Sequence, residues 1–157
     1  HAFKTIYESI MGVIFTDIQI GPPAASGNGG PDHFVTFKGI WDTGATNSVI
    51  TPTLVKKLGL LPSGKAEVSG VNSCEVKDTY FIDIGLPNRI YLGNWRVIES
   101  EINSPGADVL IGMDIIHNGD FSIANGTGHT IFSFAMPPFE NPTDLFEKAN
   151  SINPRKK

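Results

Sequence analysis

The residues best suited to chemistry are Asp42, Thr43, Gly44 and Ala45, which follow an apolar stretch ending at Trp41. A carboxylate can take a proton from an attacking water molecule, and a carboxyl group that keeps its proton can act as the acid. Two such groups about 3 Å apart share one proton, because they cannot both ionise. A pair of this kind could hydrolyse a peptide bond without a metal ion or a nucleophilic side chain.

The neighbours of Asp42 have the properties that a rigid catalytic turn requires. The hydroxyl of Thr43 can hydrogen-bond to nearby main chain, and Gly44 allows the backbone to approach the carboxylate closely. Ala45 is small enough for a crowded site. The pattern therefore predicts a carboxylate that is held by backbone rather than carried on a flexible loop.

The elements that must position this turn are mainly β-strands. Runs rich in β-branched and aromatic residues, separated by turn residues, predict strands at 13–20, 34–41, 67–71, 74–84, 89–92, 95–99, 108–111, 121–124 and 130–134. A helix is predicted to start at Pro52, with Thr51 as N-cap and Gly59 at its end. Shorter helices are predicted at 113–118 and, behind Thr143 as cap, at 144–149.

The composition is that of a soluble globular domain, with 157 residues, 40% of them hydrophobic and 18% charged. We expect one domain over residues 1–135 and a Pro-containing tail with a short helix over 136–157. The net charge is −4, which argues against a nucleic-acid partner. The four histidines show no ligand spacing, so neither a metal ion nor another cofactor is predicted.

The sequence does not decide where the protein is located. It contains a single cysteine, Cys74, and so cannot form an internal disulfide. The segment also shows no signal-peptide hydrophobic region. Both features favour the cytoplasm.

The stretch Asp42-Thr43-Gly44-Ala45, followed by Ser48-Val49-Ile50, resembles the active-site signature of the aspartic proteases. Residues 107–114 (ADVLIGMD) resemble the second signature of the retropepsin-like branch of that family. The resemblance implies a mainly β retropepsin (acid protease) fold, a closed antiparallel barrel-like structure with one or two short helices. It also implies that three residues support the catalytic turn from behind: Ile111, Gly112 and Asp114.

Between the two signatures, residues 67–76 resemble the flap hairpin that closes over substrate in this family. The flap residues expected to contact substrate are Ser69, Gly70, Val71 and Asn72. Cys74 is expected to be a small filler in the flap rather than a nucleophile, because no histidine is placed to activate it. By analogy with the family, the apolar walls of the substrate groove are expected to be Val49, Ile111 and Val71.

The sequence contains one Asp-Thr-Gly and no Asp-Ser-Gly, which excludes a pepsin-like monomer with two lobes. A homodimer would supply the second acid by symmetry, so that two copies of Asp42 meet. The family implies that Thr43 of each copy braces the turn across this interface, and that the partner molecule is a peptide or protein substrate. We expect residues 3–7 and 130–134 to form the dimer sheet.

Two alternatives to an active endopeptidase remain open from the sequence. The first is a catalytically inactive retropepsin-like module that dimerises or binds peptides without cleaving them. The second is an unrelated β-sandwich binding module with Asp42 in a surface loop.

Overall fold

The computed structural model describes residues 1–27, 29–69, 74–126 and 128–152. Within them the chain forms ten strands, three α-helices and two short 3-10 helices (Ala24–Ser26 and Pro31–His33). The strands are β1 (Ala2–Ile6), β2 (Ile14–Gly21), β3 (Val35–Trp41), β4 (Val49–Ile50), β5 (Gly64–Ser69), β6 (Cys74–Leu86), β7 (Ile90–Glu99), β8 (Val109–Ile111), β9 (Asp120–Ala124) and β10 (Ile131–Ala135). The helices are α1 (Pro52–Leu58), α2 (Met113–Ile116) and α3 (Leu145–Ile152).

Six strands close into a barrel in the order β2, β3, β8, β4, β7 and β6, and β6 returns to pair with β2. Strand β5 pairs with the outer part of β6 and extends the sheet as a hairpin. The mainly β fold and the closed barrel confirm the prediction. The barrel is not wholly antiparallel, however, because β3 pairs with β8 and β4 pairs with β7 in parallel.

The barrel interior is filled by apolar side chains that alternate along the strands. Ile18 and Ile20 of β2, Ile82 and Ile84 of β6 and Val97 of β7 have no exposed surface. Each such side chain contributes roughly 1.5–3 kcal/mol to stability through burial. This rigid interior is the frame on which the turn at Asp42 is mounted.

A second sheet, with strand order β1, β10 and β9, lies against the residue that precedes Asp42. Its aromatic side chains pack around the Trp41 ring with centroid distances of 5.0 to 6.1 Å, and they come from Phe3, Phe121, Phe132 and Phe134. Trp41 is itself buried and donates a hydrogen bond from Nε1 to Thr16 Oγ1 at 2.8 Å. The small sheet therefore packs against the residue that leads into the turn at Asp42.

The two segments expected in a dimer sheet pair with each other inside one chain. Strands β1 and β10 are antiparallel over five residue pairs, from Ala2 opposite Ala135 to Ile6 opposite Ile131. The second edge of β10 is occupied by β9. Strands β1 and β10 are thus paired within a single chain, and β1 and β9 are the edges of this sheet.

Strands predicted separately at 89–92 and 95–99 are one strand, β7, and this prediction is wrong. The turn-prone residues between them form an irregularity in the pairing opposite Ile82 and Ile84, with Asn94 at a φ of 52°. The Asn94 amide donates to Oδ1 of buried Asp83 at 2.7 Å, which stabilises this conformation. The strand predicted at 74–84 is also longer than expected, because β6 continues to Leu86.

The helix predicted after Thr51 is present. The Thr51 hydroxyl accepts a hydrogen bond from the amide of Leu54, and Gly59 ends α1 in the left-handed conformation. Helix α2 is shorter than predicted. Helix α3 is capped by the Asp144 carboxylate, which accepts from the amides of Phe146 and Glu147, and not by Thr143. In the described part of the chain, every helix is too short or too polar to cross a membrane.

Candidate active site

The turn at Asp42 is fixed to the barrel by its own main chain. The Asp42 amide donates to the carbonyl oxygen of Ile111 at 2.9 Å, and the Ala45 amide donates to the carbonyl oxygen of Asp42 at 3.3 Å. Oδ1 of Asp42 accepts a hydrogen bond from the Gly44 amide at 2.8 Å. Backbone groups therefore orient the carboxylate, which is partly exposed.

The residue types at positions 43 and 44 match different requirements of the turn. A Cβ atom on Gly44 would lie 3.1 Å from Oδ1 of Asp42, tighter than an ordinary carbon contact, so glycine allows this close approach. Thr43 is exposed, and its hydroxyl makes no hydrogen bond to the residues that the structure describes. That hydroxyl is available to a group outside the chain.

The second signature packs against the loop that follows Asp42. The Met113 amide donates to the carbonyl oxygen of Ala45 at 2.8 Å, and the Asp114 amide donates to that of Thr46 at 3.2 Å. A Cβ atom on Gly112 would lie 2.7 Å from the main-chain carbonyl of Asn47. Glycine at position 112 is therefore required for helix α2 to approach the loop this closely.

A buried serine joins the two signatures through its side chain. The Ser48 hydroxyl donates to Oδ1 of Asp114 at 2.7 Å and accepts from the Gly112 amide at 3.0 Å. Oδ2 of Asp114 accepts from Nε1 of Trp95 at 3.0 Å. Sequence reasoning placed Asp114 in a supporting position but assigned no role to Ser48. The signal in the sequence that could have indicated a role for Ser48 is its position directly before two apolar strand residues, Val49 and Ile50.

The apolar surface beside Asp42 is formed by Val49 and Leu110, which face each other across β4 and β8 and are both partly exposed. Ile111 pairs with Trp41, and both are buried. The prediction of Ile111 as a groove wall is therefore wrong, since its side chain enters the core. Because side chains alternate along a strand, Asp42 lies on the same side of the sheet as Leu110 and Val49.

The residues predicted to form a flap belong to the hairpin of β5 and β6, whose tip is outside the described residues. Pairing runs from Gly64 opposite Thr79 to Ser69 opposite Cys74, and β6 pairs with β7 only from Thr79 onward. The hairpin therefore projects beyond the barrel. Three of the predicted flap residues are outside the described part of the chain: Gly70, Val71 and Asn72. Cys74 is exposed, so the prediction of a packed filler is wrong.

Comparison with known protein families identifies the chain. The family model described as aspartyl protease matches residues 25–115, which is more than half of the sequence and includes both signatures. The chain belongs to the aspartyl protease family. No curated protein sequence gives a match to this family member.

Solved structures resemble this aspartyl protease in fold. A retropepsin-like aspartic protease from Rickettsia conorii is 14% identical, with a TM-score of 0.54, and the alignment covers 87% of this chain and 94% of that one. The EIAV protease, complexed with the inhibitor HBY-793, is 18% identical with a TM-score of 0.48 over 72% of this chain and 92% of that one. The retroviral protease-like domain of Ddi1 from Leishmania major is 17% identical with a TM-score of 0.42, covering 76% and 94%.

The projecting hairpin of this aspartyl protease carries charges on both strands. Lys65 and Asp78 form an ion pair at 2.8 Å, and Glu75 and Lys77 form another at 2.7 Å. The hydrogen bond to Lys77 lowers the pKa of Glu75, and the same bond raises the pKa of Lys77. These pairs are solvent-exposed and contribute little to stability. Across the described residues, no three His, Cys, Asp or Glu side chains are grouped to hold a metal ion.

Proposed function

We propose that this aspartyl protease is an aspartic endopeptidase that acts as a homodimer. The observation that supports this most strongly is the single Asp-Thr-Gly turn, rigidly held on a closed barrel, which presents one partly exposed carboxylate. The chemistry requires two carboxyl groups, and a two-fold axis beside the turn supplies the second as Asp42 of the partner subunit.

In the proposed dimer the two carboxyl groups share one proton and hold one water molecule between them. The charged carboxylate removes a proton from the water as it attacks the peptide carbonyl, and the neutral carboxyl group protonates the carbonyl oxygen. Collapse of the tetrahedral species breaks the C–N bond as the nitrogen gains a proton. No covalent intermediate with the enzyme forms. The exposed hydroxyl of Thr43 in each subunit braces the opposite turn.

The substrate is proposed to be a peptide in an extended conformation, bound between the barrel and the hairpin. Val49 and Leu110 supply an apolar floor beside Asp42, which suits apolar substrate side chains. The backbone of the projecting β5–β6 hairpin can provide hydrogen bonds to the main chain of the peptide. Specificity therefore depends more on side-chain size and apolarity than on charge.

Asp42→Asn tests this proposal with little disturbance of the fold. The asparagine side-chain oxygen can still accept the hydrogen bond from Gly44. An amide cannot take up or release the shared proton, however, so it can serve neither as the general base nor as the general acid. We expect peptide-library cleavage, followed by mass spectrometry, to fall on the order of 10³-fold or more. Asp32→Asn is the matched control, since Asp32 is an exposed acid in a separate 3-10 helix, and it should leave cleavage unchanged.

Two outcomes would contradict the endopeptidase proposal. Cleavage that survives Asp42→Asn would assign the activity to other residues. Peptide binding by the unmodified protein without any cleavage would instead favour the inactive binding module. Binding is measured separately by fluorescence anisotropy with labelled peptides from the same library.

A further inference from the structure

A cavity of about 600 Å³ opens on the outside of the barrel, at the end of the β2–β3 ladder that is farther from Asp42. Thr36, near the start of β3, lies in its wall, whereas Asp42 follows the last residue of that strand. Since β3 has seven residues, it separates the cavity from the turn at Asp42 by roughly 20 Å. Sites for small ligands have volumes of roughly 300–1,000 Å³. The cavity is therefore large enough for a small ligand and separate from the candidate active site.

One wall of the cavity is an aromatic pair, Phe34 and Tyr91. Their rings are stacked, with centroids 6.1 Å apart and an interplanar angle of 25°. A Cβ atom on either Gly21 or Gly85 would lie 2.8 Å from the Phe34 ring, so the two glycines let this ring lie directly on the main chain. The Tyr91 hydroxyl donates to Oδ2 of buried Asp83 at 2.6 Å. Both rings are therefore positioned before a ligand arrives, which lowers the entropy cost of binding.

Two opposite charges line the same cavity without pairing with each other. Asp17 and Arg89 are both exposed, and neither forms an ion pair or a side-chain hydrogen bond within the part of the chain that the structure describes. Lys38 is the cross-strand neighbour of Asp17, but its Nζ lies over the Phe15 ring, 4.4 Å from the centroid. A ligand that carries one charge of each sign can therefore pair with both groups.

The turn that carries Arg89 is tied to the neighbouring sheet. Nδ2 of Asn88 donates to the carbonyl oxygen of Ala2 at 2.5 Å, which joins the β6–β7 turn to β1. Asn88 and Arg89 both have positive φ values, of 60° and 61°. Asparagine is favoured in this left-handed conformation and arginine is not. Formation of the turn thus gives no reason for an arginine at position 89, whereas an anionic group of a ligand does.

We propose that this cavity binds a short peptide that has free ends and an aromatic side chain. The carboxylate of the peptide pairs with Arg89, its ammonium group pairs with Asp17, and its ring packs against the aromatic pair. The exposed side-chain amide of Gln19 lines the same cavity and can hydrogen-bond to a peptide group. The volume exceeds that of a single aromatic amino acid, which favours a peptide. The site does not include Asp42, so it does not depend on the proposed function.

Isothermal titration calorimetry with the dipeptide alanylphenylalanine tests the ligand chemistry. Acetylation of its amino group and amidation of its carboxyl group each remove one charge, and each should raise the Kd roughly tenfold or more. Alanylglycine lacks the ring and should also bind roughly tenfold more weakly. Absence of binding at millimolar concentrations would overturn the proposal. Free phenylalanine that bound more tightly than the dipeptide would overturn the assignment of a peptide.

Arg89→Gln tests the position of the ligand. It should raise the Kd of the dipeptide roughly tenfold or more but leave that of the amidated dipeptide unchanged, which also shows that the variant is folded. Arg96→Gln is the matched control, because Arg96 is exposed on β7 outside this cavity, and it should leave both values unchanged. Equal effects of the two substitutions would overturn the role of Arg89.

Asp42→Asn separates this site from the candidate active site. The dipeptide should bind to this variant with the Kd of the unmodified protein, and loss of binding would place the dipeptide at the catalytic turn and overturn the proposal. If the unmodified protein binds the dipeptide through Arg89 but cleaves no peptide, the proposed function fails and the cavity assignment stands. If it cleaves peptides but binds no dipeptide, the cavity assignment fails and the endopeptidase proposal stands.

Discussion

The hydroxyl of Ser48 lies 2.7 Å from Oδ1 of Asp114 and donates a hydrogen bond to it. The two residues are 66 positions apart in the chain. This bond joins the loop behind Asp42 to the first turn of α2, while the same hydroxyl satisfies the Gly112 amide. The turn at Asp42 is therefore held by its own backbone and by a side-chain network that includes buried Ser48.

Ser48→Ala should destabilise the protein by about 1–3 kcal/mol, because it leaves a buried amide and a carboxylate oxygen without a partner. Urea denaturation followed by circular dichroism measures the change. Ser122→Ala, at an exposed position of β9, is the control and should change the free energy of unfolding by less than about 0.5 kcal/mol. Equal effects of the two substitutions would contradict a structural role for Ser48.

Asp83→Asn should also destabilise the fold. This carboxylate is 1% exposed and accepts hydrogen bonds from the amides of Ala24 and Asn94 and from the hydroxyl of Tyr91. An asparagine must aim its NH₂ group at one of these donors, which costs about 2–3 kcal/mol together with the lost charge-assisted bonds.

Asp78→Asn provides the comparison for Asp83 within the same strand. Asp78 is paired with exposed Lys65, so its substitution should cost no more than about 1 kcal/mol. The free energy of unfolding of both variants is measured by urea denaturation. An equal decrease for Asp83→Asn and Asp78→Asn would show that the burial of Asp83 does not contribute to stability.

The tyrosines should titrate at unusually high pH in the folded protein. Burial raises the pKa of Tyr80 to about 12, assisted by its hydrogen bond to Glu99. The hydrogen bond to Asp83 raises the pKa of Tyr91, and burial raises that of Tyr7. Near-ultraviolet absorbance of tyrosinate should therefore appear at higher pH in the folded protein than in denaturant, where the pKa is about 10.

The same shifts predict a loss of stability in alkali. Unfolded Tyr80 releases its proton from about pH 10, whereas folded Tyr80 retains it until about pH 12. The free energy of unfolding should therefore be unaffected below pH 10 and decrease between these values, by at most about 1.4 kcal/mol per pH unit for this residue. Tyr80→Phe should make the decrease less steep in urea titrations, and an unchanged slope would contradict the assignment.

Leu110→Ala should change cleavage preference towards larger apolar side chains, because it enlarges the floor beside Asp42. Discrimination between substrates that differ in size should change by roughly 10–200-fold in kcat/KM. The neighbouring Ile111→Val is the control. Its side chain is buried, so it should lower stability by about 0.5–1.5 kcal/mol and leave the preference unchanged. A change of cleavage preference caused by Ile111→Val but not by Leu110→Ala would contradict the assignment of Leu110 to this floor.

Local signals in the sequence predicted the elements around the site well. Thr51, Pro52 and Gly59 mark the ends of α1 because capping depends on nearest neighbours, and β-branched runs mark the barrel strands. The face of β8 could not be predicted in the same way. Val109, Leu110 and Ile111 are all apolar, so their alternation gives no indication of which side is buried.

Long-range partners were beyond the reach of sequence reasoning. The contact of Ser48 with Asp114 and that of Asp83 with Ala24 depend on strand pairing, which no local pattern encodes. The irregular pairing at Asn94 was missed for a related reason, because turn-prone residues inside a long strand resemble a break between two strands. Exposure of Cys74 follows from the projection of the hairpin, which is also a tertiary property.

The main-chain nitrogen of His1 donates to the carbonyl oxygen of Met136 at 2.8 Å, and the Met136 amide donates to the carbonyl oxygen of His1 at the same distance. Positions 1 and 136 are therefore neighbours beside the paired ends of β1 and β10. A short linker from position 136 back to position 1 would permit circular permutation with new ends in an exposed loop. The same geometry would let the unit be inserted into a surface loop of a host protein without separating the two sides of that loop.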